Sequence, residues 1–171
     1  MEYTAIDILN AREERVELQE KLMDDFQNTL LCMRVNVPGV RKKTELSKGI
    51  FDVLSKEIDR IFQVRILKSH FNVGAEGPIE LLVIDEKSDE VKRKAIQLEE
   101  NHPLGRFVDI DVYDNKTRES LSRTSMGFAP RKCYICDKTA YNCVRNQSHS
   151  KEEIIGHIKK AYESYRSKTN E

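Results

Sequence analysis

In the stretch HPLGRFVDIDV, Asp109 and Asp111 alternate with Val108, Ile110 and Val112. That alternation puts both carboxylates on one face of a strand, with Cα atoms roughly 6.6 Å apart. Burying an unpaired carboxylate is costly, and two close together cost more, so the pair needs a cation or a structural arginine. From this spacing two carboxylates can converge on one Mg²⁺, or on two ions ~3.5–4 Å apart. Mg²⁺ takes carboxylate oxygens while keeping waters and phosphate oxygens in its shell, so the pattern suits phosphoryl or nucleotidyl transfer. An exposed edge strand with an acidic outer face is the other reading. His102 and Arg106 flank the strand as donors for phosphate, and Gly105 permits close backbone approach. Pro103 and Gly105 serve equally well as ordinary turn residues.

A second group follows in CYICDKTAYNCVRNQSH. Cys133, Cys136, Cys143 and His149 have spacings that suit a tetrahedral Zn²⁺ site of structural type. Only one Cys-x-x-Cys is present, and free thiols packed beneath a loop would look the same. Arg123, Arg131, Lys132 and Arg145 surround the segment with positive charge. Near the amino terminus Arg12, Arg15 and Gln19 share one helix face, which spacing alone reads as solvated and paired with Glu13, Glu14 and Glu17.

The elements that must position these groups are legible as patterns. Residues 4–29 read as a long helix capped by Thr4 and Asp7, with Leu9, Val16, Met23 and Leu30 at heptad spacing, supported by Leu22 and Phe26. LLCMRVNVPG alternates as a strand ended by Pro-Gly. Residues 44–61 form an amphipathic helix, QVRILKSHF and IELLVID two strands, 88–100 a helix, and RFVDIDVYD the last strand. A cysteine-rich loop segment spans 123–150, and a helix over 150–166 opens with the capping box of Ser150 and Glu153. Between residues 30 and 114 the order is β-α-β-β-α-β, which predicts an α+β, ferredoxin-like core with a mostly antiparallel sheet. The first and fourth strands would then be neighbours. Leu31, Met33, Val35, Val37, Val108, Ile110 and Val112 would face the helices, and Arg34, Asn36, Asp109 and Asp111 the other side.

Composition bounds the reading. The 171 residues suit a single catalytic domain over 1–171. A net charge of zero argues against a general nucleic-acid binder. The charge is nevertheless uneven: residues 1–31 carry eight acidic and three basic side chains, and residues 128–171 nine basic and five acidic. No apolar run approaches the ~18 residues of a membrane span. The amino terminus has neither a basic leader nor an apolar signal core, so a cytoplasmic protein with reduced cysteines is expected.

The chain resembles the citrate lyase holo-acyl-carrier-protein synthase family, the apo-citrate lyase phosphoribosyl-dephospho-CoA transferases. HPLGRFVDIDV, GPIELLVID and LSRTSMGFAPRKCYICDKTAYNCVRNQSHS carry the resemblance, with AREER, Gln19 and NVPG earlier in the chain. It runs from about residue 9 to 160. Val40 stands where proline is expected, and Phe107-Val108 replace Leu-Trp.

The resemblance implies that a serine of the apo acyl carrier protein of citrate lyase attacks the inner phosphate of triphosphoribosyl-dephospho-CoA, and pyrophosphate leaves. Asp109 and Asp111 would hold Mg²⁺, and His102 and Arg106 would contact phosphate oxygens. Arg12, Arg15, Asn36, Gly39, Gly105, Arg123 and Arg131 would serve substrate binding. Asp85 and Glu80 are candidates for a third carboxylate, and the basic segment around Arg131 and Lys132 for docking an acidic carrier. A zinc-containing interaction module without catalysis, or a nucleotidyltransferase with another acceptor, are the competing readings.

Overall fold

The computed structural model describes residues 3–169. Among these residues the order is α1 (Ala5–Phe26), β1 (Thr29–Val35), α2 (Glu45–Phe62), β2 (Ile66–Gly74), β3 (Gly77–Ile84), α3 (Ser88–Asn101), β4 (Val108–Tyr113), α4 (Ala140–Arg145) and α5 (Lys151–Thr169). The class is α+β: a four-stranded antiparallel sheet, five helices and a carboxy-terminal cysteine cluster. The strands lie in the order β2-β3-β1-β4. Thus β1 is central, pairing antiparallel with β3 on one side and β4 on the other.

Sequence alternation sorts the two faces. Leu31, Met33, Val35, Val108, Ile110 and Val112 join Ile50, Phe51, Leu54, Ile58 and Phe62 of α2, with Val91, Ala95 and Leu98 of α3 and Ile158 of α5, in the main core. The opposite face is not wholly polar. Leu30, Cys32, Ile79, Leu81 and Val83 form a second apolar cluster with Leu22 and Met23 of α1.

The side that α1 presents to the sheet differs from the heptad expectation. Leu9 and Val16 are 54% and 45% exposed, whereas Ile8, Gln19, Leu22 and Met23 are buried. Towards the sheet α1 presents Ile8, Arg15 and Gln19 before Leu22 and Met23, and Arg12 and Arg15 reach from it to Glu76.

Capping boxes start α1 at Thr4–Asp7, α2 at Thr44–Ser47 and α5 at Ser150–Glu153. Two strands start later than their patterns suggest, because Gln63–Arg65 and Gly105–Phe107 are 3₁₀ turns. The edge strand β4 is not left open: Ile110 N–H donates to Glu99 Oε1 at 3.1 Å, and Ile110 C=O accepts from Lys92 Nζ at 2.9 Å. Both side chains belong to α3 and are buried, covering the backbone next to the two aspartates. Among the described residues, no helix is long and apolar enough to cross a membrane.

Candidate active site

The β1–β4 register sets Arg34 opposite Asp109 and Cys32 opposite Asp111. Both aspartates are half-buried, and both have found an arginine. Arg34 Nη2 lies 2.8 Å from Asp111 Oδ2, and Arg131 Nη1 lies 2.5 Å from Asp109 Oδ1. Each arginine reaches back to a buried glutamate. Arg131 pairs through its other terminal nitrogen with Glu99, only 2% exposed. Arg34 Nη1 lies 3.8 Å from Glu76 Oε1. Glu76 also meets Arg15 Nε at 2.9 Å and Arg12 Nε at 3.3 Å. Two chains of charge result, Glu76–Arg34–Asp111 and Glu99–Arg131–Asp109.

These pairings set the charge states. Burial works against the Arg34 and Arg131 guanidiniums, but their anionic neighbours hold both above the ordinary arginine value. Burial pushes the Glu99 carboxyl up, against the pull of Arg131 and the Ile110 N–H. Burial pulls the Lys42 ammonium down, and Arg12 adds to the effect. Ile8, Arg12, Arg34, Val35, Asn36, Lys42, Glu76 and Asp109 line a cavity of about 80 Å³.

The other expected residues fall into two groups. Arg106 lies near this centre, donating to Lys132 C=O and facing the positive charge of Arg131 and Arg123. Arg123 is mostly buried against Glu100 at 2.5 Å. Arg131, expected on an open docking surface, is turned inward onto the carboxylates, while Lys132 and Arg145 remain exposed. Asn36 borders the cavity, and its backbone N–H donates to Phe107 C=O at 2.8 Å. Gly39 takes a positive φ of 86° in the loop beyond it.

His102 belongs to the helical side of the sheet. Its Nδ1 accepts from Leu104 N–H at 3.0 Å, and its ring lies 5.3 Å from that of Tyr165 on α5. Burial lowers its pKa, favouring the neutral ring that this acceptor role needs. Gly105 is buried where a Cβ would strike Leu98 C=O and come within 2.8 Å of Glu99 Cα, so close packing on α3 explains it.

Neither expected third carboxylate joins the pair. Asp85 is exposed at the end of β3, and Glu80 turns to the helical face, accepting from Ser55 Oγ at 2.9 Å. The carboxylates that do join, Glu76 and Glu99, were missed. Glu76 sat in GAEGP, which reads as a turn, and Glu99 in a helix rich in charge. An acidic residue in a turn flanked by Gly74 and Gly77 was the available signal for the first.

The cysteine group assembles as its spacing suggests. The ligand atoms of Cys133, Cys136, Cys143 and His149 all lie within 4.8 Å of one another. Cys136 Sγ is 3.4 Å from both Cys143 Sγ and His149 Nε2. Burial works to raise the Cys133 thiol, but the N–H groups of Ile135 and Cys136 bring it down to about 7, towards the thiolate that binds metal. Lys132 and Thr139 bridge antiparallel to close a small hairpin, and Tyr134 anchors it, packing edge-on to Phe107 with centroids 5.5 Å apart.

Residues 3–165 match the family model described as apo-citrate lyase phosphoribosyl-dephospho-CoA transferase. The chain belongs to that family. It is therefore a transferase. Among relatives, the probable apo-citrate lyase phosphoribosyl-dephospho-CoA transferase of Streptococcus pyogenes serotype M3 is 36% identical, over 96% of this chain and 88% of that protein. The apo-citrate lyase phosphoribosyl-dephospho-CoA transferase of Shigella flexneri serotype 5b is 29% identical, over 89% of this chain and 84% of that one. A longer relative, protein CitXG of Leuconostoc mesenteroides subsp. cremoris, is 32% identical over 92% of this chain, which matches 34% of its length.

For a transferase of this family the site has the right donors. Each aspartate has two oxygens, and an ion that keeps phosphate and water in its shell needs only one or two carboxylates. The pair therefore fits Mg²⁺, with Arg34 and Arg131 as the cations facing it here.

Proposed function

We propose that the chain attaches the phosphoribosyl-dephospho-CoA group to a serine of the apo acyl carrier protein of citrate lyase, using the triphosphate precursor and releasing pyrophosphate. The serine oxygen forms a bond to the inner phosphorus as the bond to pyrophosphate breaks, and the hydroxyl proton is lost. The observation that carries this reading is the pair of half-buried aspartates, each facing an arginine, beside a cavity lined with further cations. Family membership and the relatives' names supply the group and the acceptor.

In this scheme Asp109 and Asp111 hold Mg²⁺, which when bound neutralises charge growing on the leaving pyrophosphate. Arg12, Arg15, Arg34, Arg106 and Arg131 take phosphate oxygens, Arg131 from the side of Asp109. Asn36 and Gly39 shape the rim, His102 holds the turn before β4, and Arg123 steadies the segment carrying Arg131. Cys133, Cys136, Cys143 and His149 hold a structural Zn²⁺, because their donor set and separations suit tetrahedral coordination. The sheet order, with β1 between β3 and β4, supports a ferredoxin-like core within one catalytic unit. Exposed Lys132 and Arg145 meet the acidic carrier, and the enzyme works in the cytoplasm.

Mass spectrometry of apo carrier protein, incubated with the chain, Mg²⁺ and the triphosphate donor, tests the reading. Addition of one prosthetic group with release of pyrophosphate is expected. An unmodified carrier would leave a binding module, and modification of a different acceptor a transferase of other specificity. Reversing Lys132 and Arg145 together should raise KM for the carrier several-fold, less so at higher salt, with KM for the donor unchanged.

A further inference from the structure

Glu76 has no part in the transfer scheme, yet it is among the most heavily engaged side chains in the molecule. It stands in the two-residue turn between β2 and β3, 5% exposed, and three guanidiniums converge on it. Even with Asp111 on Arg34, two carboxylates face three arginines. Arg12, Arg34 and Lys42 line the adjoining cavity together with Glu76 and Asp109. Arg34 Nε is buried with no hydrogen-bond partner. Arg12 is 54% exposed and commits one nitrogen to Glu76, although a guanidinium carries five N–H donors. Donors and positive charge are thus left over around a small space.

The turn that presents Glu76 is held in place. Gly77 has a φ of 85°, and a Cβ there would lie 2.8 Å from Lys42 C=O. Backbone packing therefore ties the turn carrying Glu76 to the loop carrying Lys42. The carboxylate is a fixed point against which three long side chains are ordered.

We propose that Glu76 is a positioning residue, holding Arg12, Arg15 and Arg34 as one cradle for the phosphates of the donor's triphosphate. This rests on the transferase reading above. The alternative is a simple counter-ion, and the two roles differ in sign. Removing a counter-ion leaves the pocket more positive and tightens anion binding. Removing a positioning group frees three arginines, and the ligand must then order them, which weakens binding.

Calorimetric titration of the full chain with inorganic triphosphate decides between them. Glu76→Gln keeps the side-chain shape and removes the charge. It should weaken triphosphate binding about tenfold, the scale of losing well-placed charge-assisted hydrogen bonds. Glu76→Asp keeps the charge but withdraws it by one methylene, and should fall between Glu76→Gln and wild type. In the transfer assay KM for the donor should rise while KM for the carrier stays constant. Unchanged or tighter triphosphate binding in Glu76→Gln overturns the proposal, as does a wild-type chain that binds no triphosphate. Should Glu76→Gln fail to fold, Glu76→Asp decides, and wild-type affinity there overturns it. Inorganic triphosphate needs no acceptor, so this result is independent of whether the carrier protein is the substrate.

Discussion

The cysteine cluster takes its four ligand atoms from residues 133–149, a hairpin, a short helix and a turn. The charged site takes Arg12 and Arg15 from α1, Arg34 from β1, Glu76 from a hairpin turn, Glu99 from α3, the aspartates from β4 and Arg131 from the loop beyond. One is local and closes on itself, while the other exists only once the sheet has formed. They meet at Arg131, which stands two residues before Cys133 and whose C=O accepts from Ala140 N–H at 2.8 Å. The local site thus serves as a base for one arm of the distributed one. Disrupting the aspartates should abolish chemistry and spare the fold, whereas disrupting the cysteines should loosen one segment and affect chemistry only through it.

The largest effect is expected at the aspartates. Asp109→Asn or Asp111→Asn should lower the transfer rate ~10²–10³-fold, with circular dichroism unchanged, since the amide keeps the volume and loses the charge. Unfolding of both variants would instead make the arginine pairs structural. Next comes the metal. Chain purified without added metal should contain about one zinc per molecule. Chelation should remove amide-exchange protection from residues 131–149 while β1 and β3 keep theirs. Transfer should drop about tenfold as Arg131 loses its base. Equal loss of protection in the sheet would show that the two regions are not separable in this way.

Smaller changes test the surroundings. Gly105→Ala places a methyl against the backbone of α3 and should cost about 1–3 kcal/mol in urea unfolding. A normal Tm with an impaired KM for the donor would return Gly105 to a phosphate-binding role. The smallest effect concerns Glu80. Burial raises its pKa, Ser55 opposes this, and Asp59 adds to it. A raised carboxyl contributes stability below its unfolded value and loses that contribution as pH climbs through the folded one. Glu80→Gln should therefore be as stable as wild type or better at pH 7, by about 1 kcal/mol or less, with that advantage shrinking towards pH 4. An advantage that grew on acidification would contradict this sign.

Secondary structure was readable wherever one period dominated. The alternation of Leu31, Met33, Val35 and Val108, Ile110, Val112 sorted the faces of β1 and β4, and the stripe of Ile50, Phe51, Leu54 and Ile58 identified the buried side of α2. It failed on α1, where the inward stripe is part apolar and part charged. Hydrophobic period then pointed to Leu9 and Val16, which face water. The short helix α4 escaped because six residues hold less than two turns of pattern.

By itself the sequence determined the paired aspartates on one strand face, the four clustered metal-type ligands and the family to which the chain belongs. A residue's own period sets the direction of its side chain within an element, and ligands 3 to 7 residues apart meet through local turns. Only the tertiary structure decided which cations answer the aspartates. It turned Arg131 inward onto Asp109 and away from a docking surface, brought Arg34 to Asp111, and set Glu76 and Glu99 behind them. It also sent Glu80 and His102 to the opposite face. Those choices depend on which strands become neighbours and how helices lie across them. They are properties of contacts between residues as far apart as Arg34 and Asp111, 77 positions, which the period of a short segment does not encode.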